Sequence, residues 1–171
     1  IDDSFVQPRA ALSRISSAKN RMETPEQMAA SAGWNFRDEK IAKIYTKYLA
    51  TLKEASALDF DDLLLKTVEL FEQSPAVRQK YGDQFRFVMV DEYQDTNRPQ
   101  YMLIRRLSDT YRNLCVVGDP DQSIYKWRGA DIRNILDFEK VFGDARIVKL
   151  ERNYRSTQVI LDAASPVISR N

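Results

Sequence analysis

Apolar positions in the first half of the chain recur every three or four residues. Phe36, Ile41, Ile44, Tyr45, Tyr48, Leu49 and Leu52 fall on one stripe, the spacing of a single long amphipathic helix. Before it, residues 4–19 are mixed and polar, with Arg9, Arg14, Lys19 and Arg21 spread among Ala and Ser, and predict one short helix. Thr24-Pro25-Glu26-Gln27 has the form of a helix start, with a Thr N-cap, Pro at the first helical position and Gln at the third, and Gly33 closes that helix. Asp59-Phe60-Asp61-Asp62 opens another, because carboxylates in a first turn suit the helix dipole. Leu63, Leu64, Val68, Leu70 and Phe71 give it an apolar face, and Ser74-Pro75 starts a short helix running to Gly82.

From residue 85 the rhythm becomes strand, turn, helix, repeated. Strands are predicted over residues 85–90, 114–117 and 146–150. Between them lie a helix capped by residues 97–100 and carrying Met102, Leu103, Ile104 and Leu107, and a second helix over residues 131–142. Ser156 is expected to cap a terminal helix through residues 159–171. Strands alternating with helices argue for an α/β fold with a parallel sheet and flanking helices, preceded by a helical segment.

The chemistry sits where the strands end. Phe87-Val88-Met89-Val90 runs straight into Asp91-Glu92, and α/β sheets place ligands at the carboxyl ends of their strands. Two carboxylates there suit metal-assisted phosphoryl transfer: one holds Mg²⁺ directly or through water, and its neighbour orients or deprotonates an attacking water. Taken alone, the pair also fits the start of a solvated loop. The second strand ends at Gly118-Asp119-Pro120-Asp121-Gln122-Ser123-Ile124-Tyr125-Lys126-Trp127-Arg128-Gly129. Interleaved aromatic and basic side chains on a loop suit single-stranded nucleic acid, whose bases stack at about 1–3 kcal/mol each while cations track the phosphates; packing of Tyr125 and Trp127 beneath the loop is the alternative. After the third strand, Asn153-Tyr154-Arg155-Ser156-Thr157 offers an aromatic plane and a guanidinium beside a helix N-terminus, which suits a nucleotide base and a phosphate.

Composition narrows these options. The 171 residues are 43% hydrophobic, enough for a core, and Lys+Arg 26 against Asp+Glu 25 leaves a net charge of +1. Nucleic-acid binding must therefore come from a local patch. Lys40, Lys43, Lys47 and Lys53 on the long helix read as a solvated face, with phosphate contact the alternative. With no histidine and one cysteine, histidine catalysis, an intrachain disulfide and a Cys/His zinc site are excluded. Cys115, in Leu114-Cys115-Val116-Val117, reads as a small core hydrophobe. No run has the 18 or so apolar residues of a membrane span and no signal peptide opens the chain, so a cytoplasmic setting without membrane contact is expected. A start at Ile1 and a helix running into Asn171 are the marks expected of an excised piece.

Three motifs then carry a family resemblance. Val90-Asp91-Glu92-Tyr93-Gln94-Asp95-Thr96-Asn97 resembles motif II of the UvrD/PcrA/Rep-like superfamily 1 DNA helicases, residues 118–129 resemble their motif III, and Leu150-Glu151-Arg152-Asn153-Tyr154-Arg155-Ser156-Thr157 resembles their motif IV. Leu58-Asp59-Phe60-Asp61-Asp62-Leu63 is similar to a family segment just upstream. The resemblance implies a helical segment over residues 1–56, like the end of subdomain 1B, and a partial RecA-like P-loop NTPase domain, subdomain 1A, over residues 57–171. It implies part of an ATP-dependent 3′–5′ DNA helicase of repair or replication, with ATP and Mg²⁺ as cofactors and single-stranded DNA, strand junctions and the remaining helicase subdomains as partners. Asp91 would hold Mg²⁺, with or without Glu92, and Glu92 would activate water. Gln122 would sense the γ-phosphate and link it to DNA, Tyr125, Trp127 and Arg128 would contact single-stranded DNA, Tyr154 would stack on adenine, and Arg155 would stabilise γ-phosphate charge.

One family feature is absent. A phosphate loop needs G-x-x-x-x-G-K-[ST], and the glycines here are followed by Trp34, Asp83, Asp119, Ala130 and Asp144, never by lysine. The isolated chain is therefore expected not to hydrolyse ATP. The alternatives for it are a non-enzymatic single-strand-binding module and a purely structural piece. The family places its phosphate-loop strand between the motif III strand and the strand before motif IV. Residues 146–150 are thus expected either to close up against residues 114–117 or to be paired by another chain, since an unpaired edge invites association.

Overall fold

A computed structural model describes residues 6–170. The expected beginning of the first helix at Ser4, and the chain ends Ile1 and Asn171, lie outside the described residues. Three helices, α1 (Pro8–Asn20), α2 (Pro25–Ser31) and α3 (Phe36–Glu54), pack their apolar stripes together. Ala11, Ile15 and Ala18 of α1 meet Met28 of α2 and Ile41, Ala42 and Tyr45 of α3 in one buried cluster with Val6. The predicted capping box forms: Thr24 Oγ1 accepts from the Gln27 N–H at 3.3 Å, and Gln27 Oε1 accepts from the Thr24 N–H at 2.8 Å. Gly33, at φ +55°, makes the reversal into α3 that a side chain would resist.

Helix α4 (Phe60–Gln73) begins at Asp59, whose Oδ1 caps the Asp62 N–H at 2.8 Å. Helix α5 (Pro75–Gln84) continues past Gly82. That glycine is a packing position rather than a terminator, since a Cβ there would stand 2.8 Å from the Thr110 hydroxyl.

Strand β1 (Val88–Val90) connects through α6 (Arg98–Ser108) to the parallel strand β2 (Leu114–Val116), with Val88 opposite Leu114 and Val90 opposite Val116. This β-α-β crossover is the α/β part of an otherwise helix-rich chain. Both strands are shorter than their hydrophobic runs, and the sheet of the described residues has two strands.

The expected third strand does not form. Residues 146–150 carry no strand pairing and do not close against β2. Ile147, Val148 and Leu150 are exposed, Leu150 to 84%. A strand exists only through its ladder, and none of the described residues supplies the ladder at that edge. The same openness reverses the expectation for Cys115, which is exposed. It pairs with Met89, itself 77% exposed, on a sheet face that none of the described residues covers.

The expected helix over residues 131–142 is split at Asp137 into α7 (Arg133–Leu136) and α8 (Phe138–Val141). The last helix, α9 (Gln158–Ile168), is preceded by Thr157 rather than Ser156 at its N-cap. Ser156 instead donates its backbone N–H to Asn153 Oδ1 at 2.8 Å. No described helix is long and apolar enough to cross a membrane.

Lys19, one of the basic residues expected on a polar helix, is almost wholly buried. Its Nζ lies 2.7 Å from Asp59 Oδ2, 2.8 Å from Asp62 Oδ1 and 5.2 Å from the Tyr48 ring centroid. Burial alone would push the Asp59 carboxyl up, but hydrogen bonds from Lys19, the Asp62 backbone and Tyr48 outweigh it and hold Asp59 below its ordinary range. Burial, then the hydrogen bond to Asp59, pushes the Tyr48 phenol up to about 12. The cation thus pins α1 to the head of α4.

Candidate nucleotide and nucleic-acid site

Strand β1 delivers Asp91 and Glu92 to the surface at its carboxyl end, and both are exposed. Glu92 has a left-handed backbone at φ 51°, ψ 42°, unusual for a residue with a side chain. Two hydrogen bonds brace it: its N–H donates to Asp91 Oδ1 at 2.9 Å, and Gln94 Nε2 donates to Glu92 Oε2 at 2.8 Å. The chain then makes a 3₁₀ turn, Tyr93–Asp95, whose Tyr93 N–H reaches across to the Val117 carbonyl at 3.0 Å. The two strand ends are therefore locked together.

Beyond β2, the 3₁₀ turn Pro120–Gln122 is held by Asp119, whose Oδ1 accepts from the Asp121 N–H at 3.0 Å and whose Oδ2 accepts from Gln122 Nε2 at 2.8 Å. A second 3₁₀ turn, Lys126–Arg128, presents the aromatic and basic side chains. Tyr125 and Trp127 have ring centroids 6.4 Å apart, and the Arg128 guanidinium lies 5.5 Å from one and 4.7 Å from the other. Trp127 is 73% exposed, so the reading in which the aromatics pack beneath the loop does not hold for it.

Glu92 and the loop after β2, though not Asp91, line one cleft of about 1170 Å³. Glu92, Asp95, Gln122, Tyr125, Trp127 and Arg128 form one side, while Ser16 and Asn20 of α1 and Phe60 and Asp61 at the head of α4 form the other. Phe60, 92% exposed, adds a second apolar ring to the lining of the cleft that Trp127 also borders. Polar links fix the walls relative to each other. Asn97 Nδ2 donates to Asn20 Oδ1 at 2.5 Å, and Asn20 Nδ2 donates to Asp61 Oδ1 at 3.0 Å.

Tyr154 and Arg155 are not brought to this cleft. Their loop is closed by its own bonds, with the Arg155 N–H on Asn153 Oδ1 at 2.9 Å, and Tyr154 is 83% exposed beside the Arg152 guanidinium, 5.1 Å from its ring centroid. They follow residues 146–150, whose strand would have carried them to the sheet edge.

Whether the carboxylates suit a divalent cation can be judged from their surroundings. Among the described residues no three His, Cys, Asp or Glu side chains converge to make a metal cage. Magnesium is commonly held by one or two carboxylates, with waters and substrate phosphates completing its shell. Asp91, exposed and using one oxygen on the Glu92 N–H, keeps its other oxygen available and fits that sparse arrangement.

Sequence reasoning missed Gln94 and the Asn20–Asn97 link. Gln94 lies inside the quoted motif and was visible as a polar residue beside the carboxylates, but only the fold shows that it is fully buried.

The sequence profile of the UvrD/REP helicase N-terminal domain matches residues 1–143. The chain is 49% identical over 171 residues to the ATP-dependent DNA helicase PcrA of Bacillus subtilis. It is 47% identical over the same length to proteins of that name from Staphylococcus epidermidis and Staphylococcus aureus. Each match covers all of this chain, which spans 23% of the length of these relatives.

Proposed function

Since the chain belongs to the UvrD/REP helicase N-terminal domain family, we propose that it is the carboxylate and single-strand-contact portion of an ATP-dependent 3′–5′ DNA helicase of repair or replication. One observation carries this reading: Glu92 and Gln122 share a cleft with Tyr125, Trp127 and Arg128, so phosphate chemistry and base stacking meet along one opening. In this reading residues 57–171 are part of a RecA-like P-loop domain, with residues 1–56 a helical segment resembling the end of subdomain 1B. The phosphate loop and the remaining subdomains belong to the rest of a longer polypeptide.

Each side chain then has a task. Glu92, braced by Asp91 and Gln94, accepts a proton from the attacking water as it approaches the γ-phosphate. Asp91 would hold Mg²⁺, and the ion when bound would supply positive charge to the phosphates. Gln122, now turned onto Asp119, reaches the γ-phosphate by exchanging that bond. Tyr125 and Trp127 stack on bases of single-stranded DNA or of a strand at a duplex junction, with Arg128 supplying positive charge. Tyr154 and Arg155 reach adenine and the γ-phosphate once their loop is carried to the sheet edge. The 171-residue chain alone, lacking a G-x-x-x-x-G-K-[ST] run, does not turn over ATP.

The test uses the full-length polypeptide that carries this chain. Glu92→Gln is expected to lower single-strand-stimulated ATP turnover by about 10²–10⁴-fold, the range of general-base catalysis, while nucleotide still binds. Wild-type-like turnover in that variant sinks the assignment.

A further inference from the structure

Gln94 is fully buried, yet both ends of its amide are in use. Its Nε2 donates to Glu92 Oε2 at 2.8 Å, and its Oε1 accepts from the Asp119 N–H at 3.0 Å. Its main-chain oxygen also accepts from the Ser123 hydroxyl at 3.4 Å. Reversing the amide would set its NH₂ against the Asp119 N–H and its oxygen against the Glu92 carboxylate, so a single orientation satisfies the site.

Gly118 makes room for this arrangement. A Cβ at that position would stand 2.5 Å from Gln94 Oε1, 2.8 Å from Ile135 Cδ1 and 3.2 Å from the Tyr93 nitrogen. Gly118 has no left-handed backbone to explain it, since the positive-φ glycines are Gly33 and Gly129. The space, rather than the turn, is what glycine supplies here.

We propose that Gln94 is the positioning residue of the hydrolytic base: it aims the Glu92 carboxylate and ties that aim to the backbone of the loop bearing Gln122, Tyr125, Trp127 and Arg128. Glu92 hangs from a strained left-handed backbone beside solvent, and a carboxylate so placed has many orientations unless a fixed donor holds it. A displacement of Asp119, at the root of the DNA-facing loop, pulls the same amide that holds the base. This route runs through the turns that follow β1 and β2, and it meets the Gln122 side chain at Asp119, whose Oδ2 accepts from Gln122 Nε2 at 2.8 Å. The inference rests on the reading that Glu92 activates water.

The test uses the full-length polypeptide. Gln94→Met keeps the buried volume and removes both hydrogen bonds. Gln94→Glu keeps an acceptor for the Asp119 N–H but turns a charge toward Glu92. Gly118→Ala crowds the amide without altering it. Steady-state ATP turnover at saturating single-stranded DNA is measured together with KM for ATP, oligonucleotide affinity and a thermal melt. The expected result for both Gln94 variants is a kcat lowered about 100-fold, as for a misplaced catalytic group, with KM and oligonucleotide affinity within about twofold of wild type and a smaller kcat loss in Gly118→Ala. A folded Gln94→Met with kcat within about twofold of wild type overturns the proposal. So does a kcat loss matched by weakened ATP or oligonucleotide binding, which marks a merely structural role. If Gln94→Met does not fold, Gly118→Ala is judged by the same measurements, and an unchanged kcat overturns the proposal. A wild-type protein without ATP turnover, or Glu92→Gln with full turnover, overturns the helicase reading instead.

Discussion

The two halves of this chain use similar amounts of apolar sequence and bury it unequally. In the helical half, Ile15, Met28, Ile41 and Tyr45 are all buried against one another. In the α/β half, Phe87, Met89, Val148, Leu150 and Val159 are exposed. A helix has one apolar stripe, and three helices can close their stripes on one another within a short stretch of chain. A sheet has two faces and two edges, and a pair of strands is too narrow to be stable alone. The lesson concerns the site. Its carboxylates and the aromatic, basic loop stand on the open half, yet their cleft is walled and tied by the closed one through Asn20 and Asp61.

The strongest way to break this comparison is to remove the pin between α1 and α4. Lys19→Met leaves Asp59 and Asp62 facing each other with no cation between them, and is expected to destabilise the protein by about 3–5 kcal/mol, the cost of breaking a buried ion pair. Urea unfolding measures it, and a loss below about 1 kcal/mol, as for a surface pair, refutes the pin. Acid should do the same work gradually. Asp59 has a lowered carboxyl in the folded state, so its contribution is fully present above the unfolded value of about 3.9 and is lost as pH falls through the folded value. The helical half should loosen below about pH 4, in the range where a freely titrating Asp is already protonated, and hydrogen exchange in α1 and α4 reports it.

The early helix periodicity and the Thr24 and Asn97 caps were legible because they are local, whereas the N-cap expected at Ser156 is Thr157 and the helix expected over residues 131–142 breaks at Asp137. The Thr24, Asp59 and Asn97 boxes each close within three residues. The carboxylates after β1 and the aromatic loop after β2 were legible for a related reason, since a strand end exports whatever residue follows it. The failures that matter most for the site were non-local. A third strand at residues 146–150 needed a hydrogen-bonding neighbour that the described residues do not supply, and with it went the placement of Tyr154 and Arg155. Lys19 stood only as one basic residue of a mixed, polar helix, because its partners lie about 40 residues away. Gln94 read as one polar residue among several, because its second bond runs to Asp119, 25 residues on.

A middle-sized effect tests the seam itself. Asn97 caps α6 through the Gln100 N–H at 3.0 Å and also donates to Asn20 on α1. Asn97→Ala removes both, and is expected to cost about 0.5–2 kcal/mol as a lost cap. Asn97→Asp separates the two roles, because it keeps the cap acceptor but cannot donate to Asn20. If Asn97→Asp restores stability yet widens exchange at Asn20, the seam is a distinct link. If Asn97→Asp matches wild type in both measurements, the cleft walls are held by packing alone.

The smallest effect in this chain carries the sharpest contrast. Met89 lies mid-strand in β1, a position that is normally core, yet its side chain here meets solvent. Met89→Ala in the 171-residue chain should therefore shift stability by no more than about 0.5 kcal/mol, like other exposed substitutions. In the full-length polypeptide the proposed RecA-like sheet would be covered on that face, and the same substitution would open a cavity costing about 2–5 kcal/mol. The comparison needs only thermal or urea unfolding of two pairs of proteins. A large effect in both lengths would mean that this chain already buries the face of β1. A small effect in both would mean that the longer polypeptide leaves the face open, and the RecA-like completion of the sheet would fail with it. Only the small-then-large result fits a site whose chemistry is borne by one half of the molecule, steadied by the other, and finished by a layer that this chain does not itself provide.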